Sequence, residues 1–155
     1  MQKTIYREER RTCFTYSVGG HYAELTRAIQ GIEFVDSYHV TWWSPRFDDG
    51  VERYFVTHPR KSVLRTLANA AQSFLILVRK RPKVIVSTGA DVAISTVILG
   101  KLLFRAKVIF VESCGQVRPT LTGRIAYPFS DLFIVQWKEQ QTYYPKSICA
   151  EGLLL

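Results

Sequence analysis

"KVIVSTGADVAISTVILGKLLFRAKVIFVES", residues 83–113, holds two short apolar runs on either side of a helical segment. The runs Lys83–Gly89 and Lys107–Ser113 are rich in valine and isoleucine and are too short for helices. Their apolar residues do not alternate with polar ones, which predicts strands buried on both faces, as in a parallel sheet. A third such run, Leu132–Trp137, follows a second helical segment at about 121–128. Strand, helix, strand, helix, strand is the βαβ pattern of an α/β fold.

The first half of the chain extends this pattern. Thr12–Ser17 is predicted as a strand that ends at a glycine pair, with a helix over His21–Gln30. Phe34–Trp43 and Val51–Val56 are predicted as further strands. The longest helix is predicted over Ser62–Lys80, because its apolar residues recur at three- and four-residue spacing and so form an amphipathic stripe: Leu64, Leu67, Ala71, Phe74, Leu75 and Val78.

These elements indicate one doubly wound α/β domain. We place it at residues 12–147, after a polar segment at 1–11 and before a C-terminal tail at 148–155. A chain of 155 residues with 47 % hydrophobic residues is long and apolar enough for one such core.

Charge and cysteine content narrow the partners. The formal net charge of +8 favours anionic partners, such as nucleic acid, phospholipid head groups or phosphorylated substrates. We expect no nucleic acid, because no binding motif is present and the basic residues form no single dense run. Three cysteines without a CxxC pair argue against a disulfide framework and a zinc site. No apolar run is long enough for a spanning helix, and the N-terminus lacks a signal-peptide pattern.

Three loops follow strands of the predicted sheet, where open parallel sheets bind ligands. They are "SVGGH" (17–21), "STGAD" (87–91) and "ESCGQ" (112–116). Glycines before a helix N-terminus favour phosphate binding, although glycines can also simply make a tight turn. Neither glycine loop has the dinucleotide fingerprint or the P-loop lysine, which disfavours NAD and ATP.

Three side chains at this edge are open to more than one interpretation. His21 can act as a base near neutral pH, or it can hydrogen-bond its own loop and order the glycines. Glu112 can bind a substrate hydroxyl, act as an acid or base, or accept hydrogen bonds from neighbouring N–H groups. Asp91 can contact a ligand or cap the helix that it precedes.

Four motifs in this order resemble one family: "SVGGHYAEL", "VIVSTGADVAI", "KVIFVES" and "LTGRIAYPFSDLFIVQW". The family is the acceptor-binding, membrane-associating subunit of split UDP-sugar glycosyltransferases. Its eukaryotic members serve the second N-acetylglucosamine step of dolichol-linked oligosaccharide synthesis, and its bacterial counterparts serve exopolysaccharide and capsule assembly. The resemblance implies a Rossmann-like domain equivalent to the N-terminal half of a GT-B enzyme, with the donor-binding half on a separate subunit.

The resemblance also implies roles for individual residues. His21 and Glu112 become the catalytic candidates, one of them removing the acceptor proton. The residues expected to bind the acceptor lie in the three loops or, for Glu24, just after the first: Ser17, Gly19, Gly20, Glu24, Ser87, Thr88, Gly89, Asp91 and Ser113. The C-terminal Leu153, Leu154 and Leu155 are expected to dock on the donor-binding subunit. Val18 departs from the family, which often has a serine there.

The expected protein is therefore a subunit of a membrane-associated, inverting glycosyltransferase. It would use a UDP-sugar and a polyprenyl-pyrophosphate-linked acceptor, with no cofactor and no metal. We expect it to lie peripherally on an anionic membrane surface at the cytoplasmic face, without the N-terminal membrane helix of eukaryotic members. Two alternatives stay open: a non-catalytic membrane adaptor for the donor-binding subunit, and a free-standing phosphate- or nucleotide-binding domain.

Overall fold

The computed structural model describes residues 6–45, 47 and 49–150. Nine strands are present in this part of the chain: β1 (Tyr6–Glu8), β2 (Thr12–Thr15), β3 (Ile32–Phe34), β4 (Ser37–Thr41), β5 (Arg53–Phe55), β6 (Val84–Ser87), β7 (Lys107–Val111), β8 (Leu132–Val135) and β9 (Ile148–Cys149). Seven of them form a wholly parallel sheet in the order β5-β4-β2-β6-β7-β8-β9, and β1 pairs with β3 in a small parallel sheet. The predicted α/β fold with a parallel sheet is confirmed.

Four helices connect the strands: α1 (Gly20–Ala28), α2 (Val63–Lys80), α3 (Asp91–Phe104) and α4 (Leu121–Ala126). Short 3-10 turns cover Tyr127–Phe129 and Lys138–Thr142. No helix in the described part of the chain combines the length and the apolar character needed to cross a membrane.

The core lies on both faces of the sheet because successive residues of a strand point to opposite sides. Ile85, Val108 and Phe110 face a cluster that includes residues of α2, α3 and α4. Val84 and Val86 face the smaller cluster around Leu25 of α1. A cavity of about 220 Å³ lies between this second face and the small sheet, lined by residues that include Ile29, Ile32, Phe34, Ile109, Leu132 and Ile134.

Several boundaries differ from the sequence prediction. The strand predicted over Phe34–Trp43 is two strands, because the chain leaves the small sheet at Val35 and enters the main sheet after Asp36. The amide of Val35 donates to Glu8, whereas the carbonyl of Asp36 accepts from Thr12. The predicted strands over Thr12–Ser17 and Val51–Val56 are shorter, at Thr12–Thr15 and Arg53–Phe55.

Both segments predicted outside the domain contribute strands to it. The segment predicted as polar, 1–11, contains β1, which pairs with β3 although both are largely exposed. The predicted boundary at residue 147 cuts through the main sheet, because Ile148 and Cys149 pair with β8. Such short strands carry no long apolar run, which is why the sequence pattern did not indicate them.

Candidate active site

The carboxyl ends of β2, β6 and β7 bring the three predicted loops to one edge of the sheet. Gly19 and Gly89 have φ values of +88° and +97°, so both turns into a helix use a left-handed conformation that favours glycine. A Cβ at Gly89 would also lie 3.7 Å from Cε1 of His21. The second loop therefore lies in contact with the imidazole of the first, and the positive φ of Gly89 rather than a lack of space favours glycine there.

His21 and Thr88 join the first loop to the second by two hydrogen bonds. Nδ1 of His21 lies 2.7 Å from the carbonyl oxygen of Thr88, and the Thr88 hydroxyl donates to the carbonyl oxygen of His21 at 2.7 Å. Because a carbonyl can only accept, Nδ1 carries the hydrogen. In the neutral ring Nε2 therefore keeps its lone pair, which is the tautomer that a general base needs.

Glu24 lies beside His21 and joins the first loop to the third. One carboxylate oxygen, Oε2, is 3.5 Å from Nδ1 of His21, and this interaction raises the pKa of His21 above its ordinary value. The other oxygen accepts from the amide of Cys114 at 3.0 Å and from the Ser113 hydroxyl at 3.3 Å. Burial opposes ionisation of Glu24, but the neighbouring imidazole of His21 and the hydrogen bonds from Cys114 outweigh it, so the pKa of Glu24 lies below its usual range. An ionised carboxylate thus stands next to the imidazole.

Glu112 is 1 % exposed and its carboxylate is fully engaged by neighbouring donors. It accepts hydrogen bonds from the Tyr144 hydroxyl at 2.8 Å, the Thr120 hydroxyl at 2.8 Å and the amide of Ser113 at 2.9 Å. Gly123 makes room for this cluster, because a Cβ there would overlap the Glu112 carboxylate. Burial and the hydrogen bond to Glu112 raise the pKa of Tyr144. Glu112 therefore fixes the loop after β7 to α4 and to the region around Tyr144.

The other predicted residues occupy the same edge with separate partners. The Ser17 hydroxyl accepts from Nε1 of Trp42 at 3.0 Å, and the Ser87 hydroxyl accepts from the amide of Gly89 at 3.1 Å. Asp91 is the first residue of α3, whose N-cap is Ala90, so Asp91 is not the capping residue. Its carboxylate lies 3.5 Å from Nδ1 of His58. The predicted partner residues Leu153, Leu154 and Leu155 lie outside the described residues.

Sequence reasoning missed three contributors to this edge. Thr120 is the N-cap of α4, and its hydroxyl accepts from the amide of Gly123 at 2.8 Å. Threonine is a preferred N-cap residue, so its place before the predicted helix could have indicated this role. Tyr144 and His58 meet their carboxylates across 32 and 33 residues of sequence, so no local spacing indicates either pair.

The arrangement brings an imidazole and two helix N-termini to one edge, next to a cavity. The N-terminus of α1 carries free amides and no acidic residue in its first turn, which favours an anion there. A cavity of about 460 Å³ adjoins this loop and is lined by Val18, Gly19, Tyr22, Ala23, Thr26, Arg27 and Phe47. The described residues include no group of three histidines, cysteines or acidic residues placed to hold a metal ion.

Comparison with known sequences finds matches in one family. The family model described as "Oligosaccharide biosynthesis protein Alg14 like" matches residues 52–154. Proteins named "UDP-N-acetylglucosamine transferase subunit ALG14" are 33 % identical over 93 residues in Rattus norvegicus and 31 % identical over 93 residues in Homo sapiens. Each match covers 56 % of this chain and 43 % of the relative, so the chain aligns with less than half of their length. The relative of that name in Candida albicans is 26 % identical over 156 residues, covering 83 % of this chain and 71 % of that protein.

Comparison with solved structures identifies the fold. MurG of Acinetobacter baumannii superposes with a TM-score of 0.63 at 11 % identity, covering 83 % of this chain and 41 % of that one. The UDP-N-acetylglucosamine 2-epimerase of Rickettsia bellii superposes with a TM-score of 0.71 at 10 % identity, covering 94 % and 42 %. At such low identity these matches show a shared Rossmann-like domain that makes up somewhat under half of each larger chain.

Proposed function

The chain belongs to the Alg14 family, and we propose that it is one subunit of a membrane-associated, inverting glycosyltransferase whose donor-binding half is a separate protein. The reaction moves a sugar from a UDP-sugar to a hydroxyl of a polyprenyl-pyrophosphate-linked saccharide. The printed names of the rat and human relatives support UDP-N-acetylglucosamine as the donor. The product is an oligosaccharide of the dolichol type or a bacterial exopolysaccharide or capsule precursor, made at the cytoplasmic face of the membrane.

The observation that carries this proposal is the hydrogen bond of 2.7 Å between Nδ1 of His21 and the carbonyl of Thr88. It leaves Nε2 able to take the proton of the acceptor hydroxyl. The hydroxyl oxygen then attacks the anomeric carbon from the side opposite UDP. The bond from that carbon to the UDP oxygen breaks, and UDP leaves with the electron pair, so the configuration inverts.

We assign His21 rather than Glu112 as the base. Glu112 is 1 % exposed and accepts hydrogen bonds from Tyr144, Thr120 and the amide of Ser113. A buried carboxylate whose oxygens are occupied by these three donors is not accessible to an incoming hydroxyl. In this proposal Glu112 is a positioning residue for the third loop, and Glu24 holds the imidazole and stabilises its protonated form.

The glycine loops are proposed to bind the acceptor. Gly19 and Gly20 lie at the start of α1, and Gly89 lies just before α3. Two helix N-termini therefore lie next to His21, and their glycines let a ligand approach the backbone closely. Such termini favour the negative charge of a pyrophosphate. The hydroxyls of Ser17, Ser87 and Thr88 lie in the same two loops, and that of Ser113 lies in the third. The hydroxyls of Ser87 and Thr88 hold the second loop in shape.

The donor-binding subunit is proposed as an obligatory partner. The word "subunit" in the printed names of the rat and human relatives supports a partner protein. The leucines Leu153–Leu155 are proposed to dock on it. Deleting residues 153–155 should reduce co-purification of the two subunits, and unchanged co-purification would contradict this docking.

The test is an in vitro transfer assay with both subunits, UDP-N-acetylglucosamine and a lipid-pyrophosphate acceptor. We expect His21→Ala to reduce kcat/KM by about 10²- to 10⁴-fold, the usual contribution of a general base. The matched control is His58→Ala, which removes an imidazole that faces Asp91 at the same edge and should cost far less. An active His21→Ala complex would favour the non-catalytic adaptor, and ligand binding by the isolated chain without any transfer by the complex would favour the free-standing domain.

A further inference from the structure

Helix α2 presents its apolar side to the outside of the molecule. Its buried residues are Asn69, Ser73 and Leu77, two of which are polar. Its large apolar residues on the opposite side are between 41 and 79 % exposed: Val63, Leu64, Leu67, Phe74, Leu75 and Val78. An amphipathic helix of a soluble domain normally turns such a stripe to the core.

Polar contacts hold the inward side of α2 in this orientation. The amide of Asn69 donates to the carbonyl oxygens of Thr57 at 2.9 Å and Val92 at 3.1 Å. The hydroxyl of Thr96 on α3 bonds that of Ser73 at 3.1 Å. Because these buried groups depend on their partners, rotating α2 to bury its leucines would leave polar groups unpaired. The outward stripe is therefore a fixed feature of the fold.

The stripe is continuous along the helix. At about 100° per residue, its six large apolar residues fall within about 120° of the helix surface. The 18 residues of α2 extend about 27 Å at 1.5 Å per residue. The stripe thus forms one long, narrow apolar surface, here called the α2 stripe.

The segment around the α2 stripe carries the net charge of the chain. Residues 53–90 hold eight of the 21 lysines and arginines and none of the 13 aspartates and glutamates. Outside this segment basic and acidic residues are equal in number. Two of the eight, Arg53 and Lys80, pair with Asp49 and Glu52 just before this segment. The other six supply an excess of positive charge within α2 and next to its ends.

Exposed cations border the α2 stripe at both ends and along one side. Arg60 and Lys61 precede the helix, Arg65 and Arg79 lie beside the stripe, and Arg81 follows the last turn. Within the described part of the chain, none of these five side chains forms an ion pair. Long basic side chains of this kind can extend to phosphate groups while the leucines enter an apolar layer.

An anionic lipid surface matches both properties of the α2 stripe. An interfacial helix buries its apolar face at the boundary of head groups and acyl chains, and its basic residues are attracted to anionic lipids. A protein partner would also cover leucines, but it would need an acidic rim to match these cations. The charge pattern therefore favours the membrane surface.

Contacts lead from the start of α2 to the candidate active site. His58, in the loop before α2, packs edge-on against Trp42 with ring centroids 5.3 Å apart, and Trp42 donates to Ser17 of the first loop. His58 also faces Asp91, just after the second loop. The amino-terminal end of the α2 stripe thus lies at the edge of the sheet that carries His21.

We propose that the α2 stripe docks on an anionic membrane surface, with α2 lying in the plane of the interface. This inference rests on the proposed function for its purpose, which is to bring the catalytic edge to a lipid-anchored acceptor. The lipid recognised is any anionic phospholipid that offers phosphate to the arginines and acyl chains to the leucines.

The test is co-sedimentation of the full chain with vesicles of phosphatidylcholine containing 30 mol % phosphatidylglycerol. Leu64→Asp should weaken binding by about tenfold or more, because a leucine side chain is lost from the apolar layer. The matched control is Leu121→Asp on α4, which makes the same change at a leucine that is 73 % exposed, against 79 % for Leu64. The control should bind the vesicles like the unchanged chain. Replacing them with vesicles of pure phosphatidylcholine, or adding 0.5 M NaCl, should weaken binding of the unchanged chain and of the control.

Equal binding of Leu64→Asp and Leu121→Asp, or no binding of the unchanged chain to anionic vesicles, would overturn the proposal. Loss of co-purification with the donor-binding subunit in Leu64→Asp, without vesicle binding by the unchanged chain, would make the α2 stripe a protein interface instead. Circular dichroism and urea unfolding identify a variant that fails to fold, and Leu67→Asp then replaces it. No sugar nucleotide or acceptor is present, so this result is independent of the transfer assay: vesicle binding without transfer refutes the proposed function alone.

Discussion

The carboxyl edge of the sheet and the α2 stripe depart from the usual distribution of side chains in opposite directions. At the edge, Glu24 and Glu112 are 5 % and 1 % exposed. On α2, Leu64 and Leu67 are 79 % and 61 % exposed. Soluble proteins rarely bury carboxylates or leave rows of leucines in water. Each departure costs stability and therefore calls for a functional reason.

The two regions differ in whether their side chains find partners within the described part of the chain. Every donor around Glu112 has its acceptor at hydrogen-bond distance, so the edge is held in place by its own contacts. The α2 stripe has no covering element among the described residues, so its apolar groups lack a partner within that part of the chain. A preorganised polar cluster is what catalysis uses, and an uncovered apolar stripe is what docking uses.

The largest effect on stability is expected at the edge. Glu112→Ala leaves the Tyr144 and Thr120 hydroxyls and the amide of Ser113 without their acceptor. Unpaired buried donors of this kind should lower the free energy of unfolding by about 3 kcal/mol. Urea unfolding at pH 7 measures this, and a loss below about 1 kcal/mol would show that the cluster does not hold the third loop.

A change in pH dependence is expected when Glu24 becomes neutral. Because Glu24 raises the pKa of His21, Glu24→Gln should lower it. A base must be unprotonated to act, so the acidic limb of the kcat/KM profile should move to lower pH. The control is Asp91→Asn, which faces His58 and should leave the limb unmoved. An unchanged limb in Glu24→Gln would mean that His21 is not the group that titrates.

The smallest effect is expected on the stability of α2. Leu64→Ser removes an apolar side chain that is already 79 % exposed. Its free energy of unfolding should change by less than about 0.5 kcal/mol, as for other surface substitutions. A loss above about 2 kcal/mol would show that Leu64 is buried in solution and would remove the basis of the α2 stripe.

The sequence could predict the strands that are buried on both faces. β6 is buried at all four residues, and its apolar run is therefore uninterrupted. β1 and β9 have only three and two residues, are largely exposed, and join their sheets by backbone pairing with β3 and β8. Backbone pairing leaves no mark on side-chain pattern, so no reading of the sequence could have placed them.

The periodicity of apolar residues predicts that a helix is amphipathic, but it does not predict whether the apolar side faces the core or the solvent. The spacing of Leu64, Leu67 and Phe74 predicts an amphipathic helix, and the helix is there. The direction of the stripe depends on Asn69 and Ser73, whose partners lie in other elements, at Thr57, Val92 and Thr96. Those contacts are decided by tertiary packing.

The candidate site divides in the same way. Its glycine loops were predictable, because the turn from a parallel strand into a helix calls for glycine at positive φ and lies at the ligand-binding edge. The pairs Glu112–Tyr144 and Asp91–His58 were not, because more than 30 residues separate their members. Only the three-dimensional arrangement distinguishes the engaged carboxylate of Glu112 from the imidazole of His21.

The most direct test of the separate roles of the edge and the α2 stripe measures sugar transfer by the two-subunit complex to two different acceptors. One acceptor is a long-chain polyprenyl-pyrophosphate saccharide in anionic vesicles, and the other is a short-chain, water-soluble analogue. We predict that His21→Ala loses transfer to both acceptors, whereas Leu64→Asp loses transfer to the vesicle acceptor and keeps transfer to the soluble one. Equal loss on both acceptors in Leu64→Asp, or full activity of His21→Ala on either, would contradict the account.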